Sequence, residues 1–315
     1  MPRTSLSYGK PFTEVDRKPG TVTMIKVSRI AHLTLETSDF ERQLDHYERV
    51  IGLRTVQRST QTAYLVTKLG QLAVILKSTN QTRCTNIAFE LAPNTDLADI
   101  KRKLAGHNLS SEKRSGLYPG IESLIAVSDP KGTVIELFSN GTFHEPEPVA
   151  GVGPLKLGHL AFVVDDPKEM ARFYGEVLGF RVSDWVEDFF VFMRCNSDHH
   201  TVNFLQGDPI RMHHMAFELR DAAHLVESCE VLARNSSTIL WGPVRHGPGH
   251  NMATYHRDAA GQIIELFTEL DRMSDEELGY FDPRPWHADR PQYPRTWPKN
   301  ERRDIWGPQI PQNFL

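Results

Sequence analysis

Nine of the fourteen histidines of this 315-residue chain lie between His159 and His256. An imidazole can ligate a metal or carry a proton near neutral pH, so chemistry is to be sought in that stretch. The run His214-Met215-Ala216-Phe217-Glu218-Leu219 alternates in polarity as a half-buried strand does. Met215, Phe217 and Leu219 share a face that must pack on helices, which leaves His214, Ala216 and Glu218 on the other face. The same parity turns His159 and Ala161 inward along 159–164, and the flanking Ile264 and Leu266 turn Glu265 inward. Three separate strands thus aim His159, His214 and Glu265 into one cavity.

Two imidazoles and one carboxylate, with coordination positions left open, suit Fe(II) and oxygen chemistry. A lone buried Glu265 is costly to ionise unless a dication compensates it. Taken singly, each residue has a plain alternative: His159 and His214 as satisfied core histidines, Glu265 at a rim. Their shared inward direction favours the metal. Parity turns His213 away, to a second layer or the surface. His199-His200 precede a strand at Thr201-Val202-Asn203-Phe204, and the glycine-rich loop Arg245-His246-Gly247-Pro248-Gly249-His250-Asn251 feeds a strand carrying Tyr255. A neutral histidine is a natural proton acceptor at working pH, and a tyrosine can donate to a substrate oxygen. His250 and His256 stand equally between site and solvent.

The elements that position these residues occur twice. Ile30-Ala31-His32-Leu33-Thr34-Leu35 recurs as Leu157-Gly158-His159-Leu160-Ala161-Phe162, and Tyr47 recurs as Tyr174, both at the same offset. Asn86 matches His214 and Glu136 matches Glu265, with offsets only slightly longer. Such self-similarity predicts two homologous domains, at 27–145 and 155–272, joined near Glu145-Pro146-Glu147-Pro148. An extension over 1–26 precedes them, and a Pro/Trp-rich tail over 273–315 follows. Each domain reads as strand, helix and three strands, performed twice. The fold class is therefore α+β, with tandem βαβββ modules curled around two cavities. In the second domain strands are expected at 159–164, 189–193, 201–205 and 214–219. Helices are expected from Pro167 to a stop at Gly179, and over 222–232. The first domain keeps His32 and Glu136 but has Asn86, a weaker ligand than imidazole, so it is read as scaffold. Trp286, Trp297 and Trp306 argue that the proline-rich tail packs, wrapping the second domain, lidding its cavity or meeting another subunit.

Composition bounds the function further. With 36 Lys+Arg against 40 Asp+Glu the formal net charge is −4, which argues against a nucleic-acid footprint. Cys84, Cys195 and Cys229 form no paired framework and read as reduced thiols. Residues 1–26 lack an apolar export segment, and no apolar run approaches the ~18–20 residues of a membrane span. A cytoplasmic protein is expected.

At this point the residues resemble the type I extradiol ring-cleavage (catechol 2,3-) dioxygenases of the vicinal oxygen chelate superfamily, also called glyoxalase-like. The most specific piece runs from His246 to Glu265 and is similar to the family's His, Tyr, Asp-Pro-x-Gly and Glu signature, with Ala259 in place of the proline and Thr254 in place of an aliphatic residue. The resemblance implies His159, His214 and Glu265 as ligands of Fe(II), with Mn(II) as the other candidate. It also implies His200 as the acid/base group, His199 as the lesser candidate for that role, and His246 and Tyr255 around the substrate. Trp241, His250 and His199 are the expected substrate contacts. The implied reaction opens a catechol ring beside its hydroxyls with O₂, in the catabolism of aromatic compounds, by a homo-oligomer that binds neither nucleic acid nor membrane. The tail Asn300-Glu301-Arg302-Arg303-Asp304-Ile305-Trp306-Gly307 resembles homoprotocatechuate-type members. Those enzymes hold a carboxylate partly with an arginine where this chain has Trp241, so an uncharged, alkylated or aryl catechol fits better. Two rivals share the scaffold: a glyoxalase-like metal-dependent isomerase or lyase using Zn²⁺, Ni²⁺ or Mn²⁺, and a small-molecule-binding protein of the bleomycin-resistance kind. Fold alone does not separate them.

Overall fold

A computed structural model describes residues 24–287, 290–299, 304–312 and 314. The extension expected at 1–26 lies almost wholly outside the described residues, as do residues 300–303 of the tail motif. The first repeat runs β1 (Val27–Thr37), α1 (Phe40–Asp45) continuing into a π-helical turn (His46–Ile51), β2 (Arg54–Arg58), β3 (Thr62–Val66) and β4 (Leu72–Ser78). Its second half is β5 (Arg83–Leu91), α2 (Leu97–Gly106), β6 (Ser111–Tyr118), β7 (Ile121–Ser128) and β8 (Val134–Phe138).

The second repeat follows the same plan. It runs β9 (Lys156–Val164), α3 (Pro167–Glu176), β10 (Arg181–Val186), β11 (Phe190–Arg194) and β12 (Val202–Gln206). Then come β13 (Arg211–Glu218), α4 (Ala222–Arg234), β14 (Ile239–His246), β15 (Met252–Arg257) and β16 (Ile263–Thr268), with β17 (Arg295–Trp297) and β18 (Asp304–Trp306) in the tail. The fold is α+β, four βαβββ modules in two curled sheets. Among the described residues no helix is long and apolar enough to cross a membrane.

Local chemistry explains the boundaries. The Asp166 side chain accepts from the backbone N–H groups of Lys168 and Glu169, and Pro167 occupies the first turn of α3, where its missing N–H costs nothing. Beyond α3 the chain turns at Gly179 with φ +73°, where an added Cβ would sit 2.6 Å from the Ile25 carbonyl oxygen. No other residue type fits there. In the second sheet the order is β17-β10-β11-β12-β9-β13-β16-β15-β14-β18. The antiparallel pair β9 and β13 forms its centre, with β12 parallel to β9 and β16 parallel to β13. The two tail strands, three residues each, form both edges, so the sheet ends in short strands that offer little backbone for pairing.

Alternation divides the second sheet as its sequence indicates. Leu160, Phe162, Met215, Phe217, Ile264 and Leu266 join one apolar core with Met170 and Tyr174 of α3 and Leu225 of α4. The opposite, concave face carries Ala216, Trp241, Tyr255 and Phe267, with Phe314 of the tail closing over them. Parity fails where the β9–β13 register shifts, between Ala216 and Phe217 and, of consequence for the site, between Met212 and His214. That bulge puts His213 and His214 on the same side, because an extra residue breaks the two-residue period.

Candidate metal centre and active site

On the concave face Glu265 Oε2 lies 3.1 Å from His159 Nε2 and 3.1 Å from His214 Nε2. The three come from β16, β9 and β13, and all are buried. The other carboxylate oxygen, Oε1, accepts from Asn251 Nδ2 at 2.9 Å, which fixes the carboxylate plane. Burial pushes the Glu265 carboxyl up, but His159 and His214 outweigh it and hold it well below the usual carboxylate range. Burial holds His159 below the ordinary imidazole value.

The partners of His214 show what this centre lacks. His213 Nε2 meets the Phe314 carbonyl oxygen at 2.8 Å and, facing an acceptor, must carry the proton. His213 Nδ1 is then bare and accepts from His214 Nδ1, 2.7 Å away. His214 Nε2 is therefore also bare, buried and without a hydrogen-bond partner. A bare nitrogen facing an ionised oxygen is lone pair against lone pair, which a cation resolves. A divalent ion bound by nitrogen and oxygen donors fits these residues. The second layer that normally orients a metal-bound imidazole is present for His214 in His213. His213 thus does not point away as parity implies; it is buried in the cavity wall, pushed down to about 3 by burial and by His214 beside it.

Around the centre the cavity is lined by His200, Trp241, His246 and Tyr255. The His200 ring stands 4.3 Å from that of His159. Burial, then His159 and His199, hold His200 well below the ordinary imidazole value, so it is neutral. His246 Nδ1 donates to Asp304 Oδ1 at 3.0 Å, leaving Nε2 to accept the Tyr255 hydroxyl at 2.8 Å. Trp241 stacks on Tyr255 with ring centroids 5.0 Å apart, and its indole N–H donates to the Pro308 carbonyl oxygen at 3.0 Å. The tail closes the wall with Asp304, Ile310 and Phe314.

Three expected residues stand elsewhere. His199 does not line the cavity; it is wholly buried behind His200 and reaches Asp184 instead. His250 is also buried outside the cavity, because its φ of +50° swings the side chain toward Asp271. Asp271 accepts from His250 Nδ1 at 2.7 Å and from His287 Nε2 at 3.1 Å, tying the glycine-rich loop to the tail. These three could also surround an ion, but both carboxylate oxygens already have donors and the Arg284 guanidinium lies 3.5 Å away. His256 is fully buried against His46 at the boundary between the repeats, with ring centroids 5.5 Å apart, neither in the site nor in solvent.

The first repeat shows the contrast. There Glu136 Oε1 accepts from Asn86 Nδ2 at 2.8 Å and from the Tyr118 hydroxyl at 2.7 Å, with Arg114 Nη1 at 3.8 Å. Side-chain donors and a guanidinium surround this carboxylate, and its one imidazole neighbour, His32 Nε2, stands 3.6 Å away, whereas Glu265 Oε2 has two imidazole nitrogens at 3.1 Å. Residues outside the expected set also matter: Asn251, Asp304 and Phe314 hold or enclose the site. Asp304 lies within the tail motif, but nothing in its spacing announces a partner in His246.

Fold and site together define a two-repeat protein with one buried His-His-Glu centre. Residues 156–266 match the Glyoxalase/Bleomycin resistance protein/Dioxygenase superfamily. The chain is 22% identical over 263 residues to metapyrocatechase of Pseudomonas sp. (strain CF600), covering 76% of this chain and 86% of that protein. Among solved structures it is similar to the Mn(II)-bound glyoxalase from Novosphingobium aromaticivorans, with TM-score 0.80, 25% identity and coverage of 91% and 93%. It is also similar to homoprotocatechuate 2,3-dioxygenase from Arthrobacter globiformis, with TM-score 0.77, 25% identity and coverage of 93% and 92%. The resemblance to extradiol dioxygenases therefore extends over most of the chain.

Proposed function

We propose that the protein is an extradiol dioxygenase that opens the ring of an uncharged catechol in the catabolism of aromatic compounds. The C–C bond beside the diol breaks and both atoms of O₂ enter the product, so no external reductant is needed. The observation that carries this reading is the bare, buried His214 Nε2 facing an ionised Glu265 next to neutral His200. His159, His214 and Glu265 would hold Fe(II), with Mn(II) the alternative that the same donors accept. Such an ion supplies Lewis acidity toward phenolic oxygens and one-electron chemistry with O₂.

The chain's own groups supply the rest. Neutral His200, beside His159, accepts a catechol hydroxyl proton and later returns it. Tyr255, whose hydroxyl proton is held by His246 Nε2, offers its oxygen as an acceptor to a substrate hydroxyl. The aromatic wall of Phe192, Trp241 and Phe314 excludes water and stacks on the ring. Among the described residues the lining has no lysine or arginine: Arg245 turns away to Glu269 and to the His250 carbonyl oxygen. An alkyl- or arylcatechol suits this wall better than a carboxylated one.

The similarity to a glyoxalase favours one second reading, a metal-dependent isomerase. Oxygen consumption separates the two. Protein loaded anaerobically with Fe(II), given 3-methylcatechol or 2,3-dihydroxybiphenyl and then air, should take up one O₂ per catechol and turn yellow. No uptake with either metal, together with isomerisation of a glutathione hemithioacetal, would favour the rival.

A further inference from the structure

The geometry points to Asp184 and His199 as positioning residues that fix which nitrogen of His200 is bare. His199 Nε2 lies 3.1 Å from Asp184 Oδ2, and because a carboxylate only accepts, that nitrogen carries a proton. In a neutral His199 the other nitrogen, Nδ1, is then bare. It lies 3.0 Å from His200 Nδ1. Two acceptors cannot share a hydrogen bond, so His200 Nδ1 carries the proton and His200 Nε2 is left bare, available to a hydroxyl in the cavity. The relay fixes His200 in the proton-accepting form before any substrate arrives.

Asp184 is suited to this task by its own partners. It is wholly buried on β10, and it accepts from the Trp297 indole N–H at 2.8 Å and the Arg295 backbone N–H at 2.8 Å, both on β17. With the His199 Nε2–H these two donors complete the hydrogen bonding of its carboxylate. The loop behind is shaped to the pair: a Cβ at Gly249, whose φ is +77°, would come within 3.1 Å of His199 Nδ1 and 3.3 Å of His200 Cε1. The His199 backbone N–H donates to the Asp271 carbonyl oxygen at 2.8 Å, which anchors the segment from the other side. Docking of the tail strand and the protonation pattern of His200 are thereby one structural feature.

The inference rests on His200 acting as the proton acceptor under the proposed function, and its test separates the two. Full-length protein labelled with ¹⁵N-histidine, metal-free or loaded with diamagnetic Zn(II), is examined by two-bond ¹H–¹⁵N correlation. His200 should show a protonated Nδ1 and a bare Nε2. In the double variant Asp184→Asn/Trp297→Phe, the one amide orientation that satisfies every neighbour points Nδ2 at His199. The relay should then reverse and put the proton on His200 Nε2. Trp297→Phe alone leaves Asp184 able to accept and should keep the original pattern. If the double variant does not fold, His199→Phe, which fills the same space without relaying, should release His200 to the Nε2-protonated form. A wild-type His200 protonated at Nε2, or a pattern unchanged in both the double variant and His199→Phe, overturns the inference. Alongside, kcat on a catechol should fall about 10²–10⁴-fold in the double variant, with KM and metal content close to those of Trp297→Phe alone. A reversed pattern with unchanged kcat would uphold the relay and instead refute His200 as the acceptor.

Discussion

The Tyr47 hydroxyl, from the first repeat, donates to Asp258 Oδ2 of the second at 3.1 Å. Its counterpart runs the other way, from the Tyr174 hydroxyl to Asp129 Oδ2, at 3.5 Å. Each aspartate also closes its own turn, Asp258 through the backbone N–H groups of Ala260 and Gln262, Asp129 through those of Lys131 and Thr133. The aspartate of the Asp-x-x-Gly signature therefore locks the two repeats together and does no chemistry. Tyr47→Phe strips a donor from a buried carboxylate and should cost about 1–3 kcal/mol. Tyr174→Phe, losing a longer bond, should cost less. Urea unfolding of both variants checks the order; equal and negligible losses would refute the clamp.

The same boundary contributes to the acid limit of stability. Burial pushes His256 down to about 3 and His46 down to about 4. Both bind fewer protons folded than unfolded, so stability should fall as pH drops through the ordinary imidazole value, until these folded values are reached. Asp258 works against them: burial pushes it up to about 6, so its protonation relieves the folded state as pH falls through that value. Two depressed histidines outweigh one raised carboxyl, since every tenfold difference in proton affinity between the folded and unfolded chain is worth about 1.4 kcal/mol. His256→Leu should therefore move the acid midpoint to lower pH. Circular dichroism at stepped pH reads it, and an unmoved midpoint would count against a neutral buried pair.

How much of this is legible in the sequence depends on where the two-residue period holds. On β9, β13 and β16 regular alternation puts His159, His214 and Glu265 on one face, and the two imidazole nitrogens lie 3.1 Å from a common carboxylate oxygen. The period fails at His213, where the bulge after Met212 turns an apparently outward residue into the second layer of His214. Loops carry no period at all, so spacing puts His250 near the cavity although its backbone turns it to Asp271. His199 and His200 cannot be told apart by spacing, because their difference lies in Asp184, distant along the chain on another strand. The tail's three tryptophans signal packing, but neither Asp304 at His246 nor Phe314 over the cavity follows from composition.

Phe314 tests whether the tail belongs to the site. Its ring meets Trp241 at 4.8 Å, Tyr255 at 4.9 Å and His213 at 5.1 Å. Phe314→Ala should raise KM for an arylcatechol roughly five- to tenfold, the worth of one or two aromatic contacts, and change kcat less. Steady-state kinetics with an oxygen electrode would show it; a KM within error of the parent would place the tail outside the cavity wall.

Removing the carboxylate tests the centre itself. Glu265→Gln leaves Asn251 a carbonyl oxygen to donate to but gives the two imidazoles a neutral neighbour. Metal retained after gel filtration, by elemental analysis, should fall from about one ion per chain to near none, with ring-opening activity lost in step. Full metal retention in this variant would move the site elsewhere.

The most direct measurement is isotopic. The Fe(II)-loaded protein is given 3-methylcatechol under ¹⁸O₂, and the yellow product is reduced at once with borohydride, which keeps its carbonyl oxygen as an alcohol, and weighed by mass spectrometry after correction for exchange with water. Both oxygen atoms of one O₂ are expected in a product cleaved beside the diol. A product free of ¹⁸O, or cleavage between the two hydroxyl-bearing carbons, would contradict extradiol chemistry at His159, His214 and Glu265.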